Sequence, residues 1–268
     1  MVSRTPQLKP RMPRRTNLIK LGVLTVALAL WEIAARYNWY NPSLAPPPSV
    51  LLRFAATMAE RPETLADIGS SLRRVFVGFT IATTLALLLA MTFHRLRALR
   101  PYLEFWVDLF RPIPPVAWIP FAILMWGIGD APAYFIVVLG TFFPIFTNAV
   151  AGLSAVDDRH LLIAKSLGAK PVLVWRRVTF PTLLTYLLPG MRAGLGVGWM
   201  SVITAEMIGA QSGLGYRMQV SRMTLQIENI YLGMIAVGVI GYLMNSLLIR
   251  LEHRLIPWRD LSANNKPE

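Results

Sequence analysis

The chain has 268 residues, of which 54% are hydrophobic and only 15% charged, and 27 Lys+Arg against 14 Asp+Glu give a formal net charge of +13. A soluble domain is about half apolar only when Gly is counted, and about a quarter of it is charged. This composition therefore excludes one soluble core and indicates an all-α polytopic membrane protein of about six spans. The cations flank apolar runs instead of spreading through a polar surface, which argues against a nucleic-acid partner.

In chain order, a basic tail over 1–17 leads into Leu18–Ala35, an apolar run broken only near its ends by Lys20 and Glu32, where long side chains snorkel. It is read as a first transmembrane helix over 18–37. The Trp31, Glu32, Arg36 flank offers no clean small-residue site for cleavage as a signal peptide. An external segment over 38–70 follows, opened by NPSLAPPPSV, whose prolines favour extended backbone.

The core is assigned to 71–250. Val75–Phe93, Ala131–Val156 and Asn229–Ile249 are uncharged and long enough to cross about 30 Å of hydrocarbon. Ile113–Gly129 is shorter, carries Pro114, Pro115 and Pro120, and is read as the third span. Val178–Ala210 is apolar except for Arg192 and Glu206. Its crossing part is expected from near Pro189 to near Gly209, with Thr179–Leu188 at the interface. A cytoplasmic tail over 251–268 closes the chain.

Lys and Arg cluster in the first tail, in His94–Arg100, between Ser154 and Phe180, and after Ile249, with eighteen on that side against seven on the other. Cytoplasmic loops carry the excess of Lys and Arg, so both termini are expected in the cytoplasm.

Enzyme chemistry finds little support. His94, His160 and His253 all lie at predicted span ends or in loops, and HExxH, GxSxG and P-loop patterns are absent. With no cysteine there are no thiolate sites. A proton- or sodium-coupled carrier would show acids at mid-membrane, whereas the strong spans have none and Glu206 falls in the outer third of its helix. A self-powered carrier of a small anion is the alternative to transport driven by a partner.

The segment 154–180 is the candidate for that partner. Asp157 or Asp158 suits a helix N-cap, Leu161, Leu162, Ala164, Lys165 and Leu167 form a short amphipathic helix, Gly168 suits a left-handed stop, and Pro171 can begin a second helix. Such a bend could lie on lipid headgroups or dock a soluble subunit. The spacing A-x-x-x-G-x9-[IV]-x-[LF]-P, carried by Ala164, Gly168, Val178 and Pro181, resembles the cytoplasmic signature of ABC importer permeases. Where that pattern usually opens Glu-Ala-Ala, this chain has Leu162-Ile163-Ala164.

RPIPPVAWIP (111–120), GMRAGLGVGW (190–199), TAEMIGAQSGLGY (204–216), APPPSV and LIPWRD are similar to permeases of the nitrate/sulfonate/taurine/bicarbonate class. The resemblance implies a type I ABC importer permease fold in a bacterial inner membrane. It also implies a second permease copy (a homodimer), an extracytoplasmic substrate-binding protein and an ABC ATPase subunit. This chain would bind no cofactor or metal itself, ATP and Mg belonging to the ATPase. Leu161, Ala164, Lys165, Leu167, Gly168 and Pro181 become the ATPase-coupling set.

Two further features are assigned to helix packing or the pathway. Gly190, Gly194 and Gly198 form a small-xxx-small face. Arg111, Pro114, Pro115 and Trp118 mark a span whose prolines break the helical ladder, with freed N–H groups expected to face an anion. Glu206 completes the pathway candidates.

Overall fold

The computed structural model describes residues 14–59, 61–96 and 100–257, and no strand occurs among them. Two units are distinguished, divided between residues 60 and 61.

The first unit holds α1 (Arg14–Arg36) and α2 (Pro48–Ala59). Glu32 joins them, accepting from Ser49 N at 3.1 Å and Ser49 Oγ at 2.9 Å, with Arg36 Nε at 3.0 Å. The expected extended stretch is short, because Pro48 opens α2. Proline loses nothing at a first helical position, where its missing N–H has no partner anyway.

The second unit begins with α3 (Pro62–Arg95), whose first turns cover residues 62–70. It continues with α4 (Arg100–Phe110), a 3₁₀ turn over Pro115–Trp118, α5 (Ile119–Trp126) and α6 (Asp130–Ser154). After α7 (Asp158–Ser166) and α8 (Pro171–Val174), a π-turn over Trp175–Thr179 leads into α9 (Phe180–Gly209). Then come α10 (Leu214–Met223) and α11 (Ile227–Leu255).

Among the described residues, helices α3, α6 and α11 are long and apolar enough to cross a membrane, and the number rises to five if the bent pairs α4/α5 and α9/α10 each count as one span. The expected third span, Ile113–Gly129, is therefore corrected. Four prolines within Arg111–Pro120 deny the helix its N–H groups, so α5 is short and meets α4 at 88°. The expected break in the next span is also absent, since α9 runs unbroken through Pro189. Leu183 and Leu187 are buried with Ala86, Phe93, Ile145 and Phe146 instead of lying along a surface.

Helix α6 is the axis of this unit, and small residues let both neighbours approach it. A methyl group on Gly78 of α3 would stand 2.6 Å from Val137 Cγ1. On α9, one on Gly190 would stand 2.5 Å from Asn148 Cβ and one on Gly194 2.9 Å from Ile145 Cγ1, while Gly198 abuts Thr141. Between membrane helices, van der Waals packing of this closeness replaces the hydrophobic drive available in water. The glycine face thus belongs to the α6–α9 contact inside one chain. Helix α11 joins through Trp199, whose Nε1 donates to the Val237 carbonyl at 3.0 Å.

Candidate functional site

Three places concentrate polar groups. The first is a buried charge network where α3, α6, α9 and α10 meet. Arg74 and Glu206 are both 0% exposed, and Arg74 Nη1 donates to Glu206 Oε1 at 2.7 Å and to the Ser212 carbonyl at 2.8 Å. Arg74 Nη2 reaches Asp130 Oδ1 at 2.5 Å and Ser212 Oγ at 2.8 Å. Arg73 covers the other Asp130 oxygen at 2.6 Å.

The same cluster caps α10. The N–H of Gly213 donates to Asp67 Oδ1 at 2.8 Å, that of Leu214 to Ser71 Oγ at 3.0 Å, and that of Gly215 to Glu206 Oε2 at 2.9 Å. These are the amides a helix start leaves unpaired, here satisfied by side chains from α3 and α9. Arg217 returns from α10 to Asp67. Glu206 is thus a structural anchor bound by two helices, not a pathway carboxylate open to a passing ion. Arg74, Asp130 and Asp67 are not among the residues expected from sequence, and Arg74 and Asp130 immediately precede the uncharged runs Val75–Phe93 and Ala131–Val156. The available signal was that a carboxylate within an apolar helix requires a partner.

The second place is a cleft of about 360 Å³ between the α4–α5 break, α6 and α9, lined by Arg111, Pro115, Gly140, Pro144, Asn148 and Val197 among others. The amides of Arg111, Ile113 and Ala117 are used in turns, bonding to Val107, Phe110 and Pro114 carbonyls, so they do not face the cleft as free donors. The guanidinium of Arg111 supplies the positive charge instead, and it pairs with no described carboxylate. Pro144 has no N–H for the Gly140 carbonyl, and Asn148 Nδ2 donates to the Pro144 carbonyl at 2.8 Å. Of the other expected pathway residues, Pro114 is exposed. Trp118 sits in an aromatic chain, 6.0 Å from Phe110 and 5.9 Å from Phe121 by ring centroids, on a different cleft.

The third place is the bend between α7 and α8. Asp157 caps α7, accepting from Arg159 N at 2.8 Å. Gly168 takes φ +72°, the left-handed stop expected of it. Leu167 is 81% exposed, and Leu162 and Ile163 share its exposure, whereas Leu161 and Ala164 are half-buried. The apolar surface open to a partner is therefore Leu162, Ile163 and Leu167, not Leu161. Lys165 is exposed beside it, and Pro181 lies in the first turn of α9.

Residues 82–260 match the family described as the inner membrane component of binding-protein-dependent transport systems. The chain belongs to this family of ABC importer permeases. A probable ABC transporter permease of Brucella abortus is 36% identical over 254 residues, covering 93% of this chain and 99% of that one. The taurine transport system permease TauC of Escherichia coli is 30% identical, with 94% of each chain covered. The nitrate import permease NrtB of Synechocystis is 26% identical over 71% of this permease and 70% of its own length. An inward-facing structure of the MetNI methionine ABC transporter shares the fold at a TM-score of 0.61 and 19% identity, covering 71% of this chain and 95% of that one. The permease is thus an inner-membrane transport subunit of type I importer fold. The self-powered carrier has no support in these relationships.

Proposed function

We propose that this permease passes a small anionic solute, of the nitrate, sulfonate, taurine or bicarbonate class, along the Arg111 cleft. An extracytoplasmic binding protein delivers the solute. A separate ABC ATPase, holding ATP and Mg, docks at the Gly168 bend and supplies the energy, so this chain is itself non-catalytic. Two copies of the chain form the passage, and both termini face the cytoplasm.

The observation that carries the reading is the Arg111 guanidinium, paired with no described carboxylate, on the proline-broken wall of a cleft. A guanidinium offers five donors in a planar fork that suits an oxyanion. The names of the taurine, aliphatic sulfonate and nitrate permease relatives support the same class.

The test is uptake into proteoliposomes holding the permease, its ATPase and the loaded binding protein. Uptake should require ATP, and Arg111→Gln should slow it at least tenfold while leaving the complex assembled. Uptake driven by an ion gradient without nucleotide would overturn the energy source. Undiminished uptake by Arg111→Gln would overturn the route.

A further inference from the structure

A cleft of about 670 Å³ lies where the end of α3 faces the last turn of α6 and the start of α8. Leu88, Met91, Leu153, Val172 and Trp175 make it largely apolar, while His94 and Arg95 add polar groups to its lining. It is separate from both the Arg111 cleft and the charge network, and the transport reading gives it no role.

A stripe on α3 leads into it. Ile81, Leu85, Leu88, Thr92 and Arg95 follow one another at alternating steps of four and three, so they share one helix face. All five are exposed in the chain, giving an apolar track along a spanning helix that ends on a cation. Arg95 pairs with no described carboxylate, and neither do Arg176 and Arg177, which follow Trp175 in the π-turn and are exposed. Arg95 also suits the C-terminal dipole of α3, but that role explains neither the cleft nor the two further arginines.

We infer that this cleft binds an anionic phospholipid of the cytoplasmic leaflet. One acyl chain lies along the Ile81–Thr92 stripe and into the apolar cleft, and the phosphate meets Arg95, with the exposed Arg176 and Arg177 next in the chain after the cleft-lining Trp175. The indole of Trp175 sits at headgroup level, where tryptophan is enriched. Charge complementarity selects the occupant, because the cytoplasmic leaflet is negative and each nearby Lys or Arg favours it. Since Val172 and Trp175 belong to the segment that follows the Gly168 bend, a lodged lipid would brace that segment against α3. The inference rests on the proposed orientation, but not on any substrate or on the ATPase.

The experiment is native mass spectrometry of the full-length permease purified with equimolar phosphatidylglycerol and phosphatidylcholine. Wild type should retain phosphatidylglycerol about fivefold over phosphatidylcholine. Arg95→Gln should bring the ratio close to one, and Val172→Trp, filling the cleft at an exposed position, should lower total retention. Arg254→Gln, at an exposed cation outside the cleft lining, should behave as wild type. Retention without headgroup preference, or wild-type preference in Arg95→Gln together with wild-type total retention in Val172→Trp, would overturn the site. Release of the lipid on adding the ATPase would show that protein covers the cleft, and would also overturn it. Because the readout is lipid retention, failure here leaves the transport reading standing, and loss of ATP-driven uptake leaves the lipid site standing.

Discussion

Arg74 and Glu206 lie 132 positions apart in the chain and meet at 2.7 Å with neither side chain reaching solvent. Around them Asp130, Ser71, Ser212 and the α10 amides fill the remaining hydrogen-bonding positions. A buried pair this well satisfied says little about net stability, but removing one partner strands the other.

Glu206→Ala should therefore destabilise the permease by about 3–5 kcal/mol, and Arg74→Ala by a similar amount. The two losses should be strongly non-additive in the double variant, because the residues share one network. Reversible unfolding in detergent, followed by far-UV circular dichroism, measures both. Additive losses would contradict the network.

Gly213 sits at φ +108°, and a methyl group there would stand 2.5 Å from Glu206 Cδ. Gly213→Ala should thus disturb the α10 cap through both backbone strain and contact. We expect a loss of stability of about 1–3 kcal/mol. Gly127→Ala is the comparison, with φ +75° but open space around it, and it should lose less. Equal melting of the two variants would rule out the contact term.

Gly190→Val should force α6 and α9 apart, since the position already has Asn148 at 2.5 Å from an added methyl. Overpacking of this kind costs about 1–3 kcal/mol. Gly196→Val, on the same helix with nothing within 4 Å, should be tolerated. Thermal stability in detergent distinguishes them, and an equally sensitive Gly196 would contradict the assignment of this face to the α6–α9 contact.

Gly168→Val places a β-branched residue at φ +72°. Membrane insertion should stay near normal, while recovery of the ATPase in a pull-down falls and transport is lost. Leu167→Ala should weaken the pull-down less, and Lys165→Ala hardly at all, since an exposed charge is screened. Full ATPase recovery with Gly168→Val would remove the docking role from this bend.

The orientation can be read with thiol reagents, because the chain has no native cysteine. Gln211→Cys and Ser166→Cys are at exposed positions in the described structure. The first should react with an impermeant reagent from outside the cell, and the second only after permeabilisation. The reverse pattern would invert the topology.

Much of the local structure was legible because its causes are local. Long uncharged runs become α3, α6 and α11, since an unbroken apolar helix satisfies its own backbone. The Asp157 cap and the positive φ of Gly168 follow from what those side chains can and cannot do within one turn. The prolines between Arg111 and Pro120 signalled a broken helix, but not its 88° bend, nor that the nearby amides would close turns and leave the guanidinium to supply the charge.

Periodicity marked Gly190, Gly194 and Gly198 as a contact face without naming the neighbour, because a small side chain permits close approach from any helix. Only the placement of α6 made the contact Thr141, Ile145 and Asn148. The same holds for Leu161, apolar in sequence yet half-buried, and for Leu187, carried inside because α9 continues through Pro189. Arg74, Asp130 and Glu206 show the limit most plainly. Each charge stood at or within an apolar run with no local partner. Their pairing depends on α3, α6 and α9 converging across more than a hundred residues of chain, and burial then makes a lone charge untenable and the paired one an anchor.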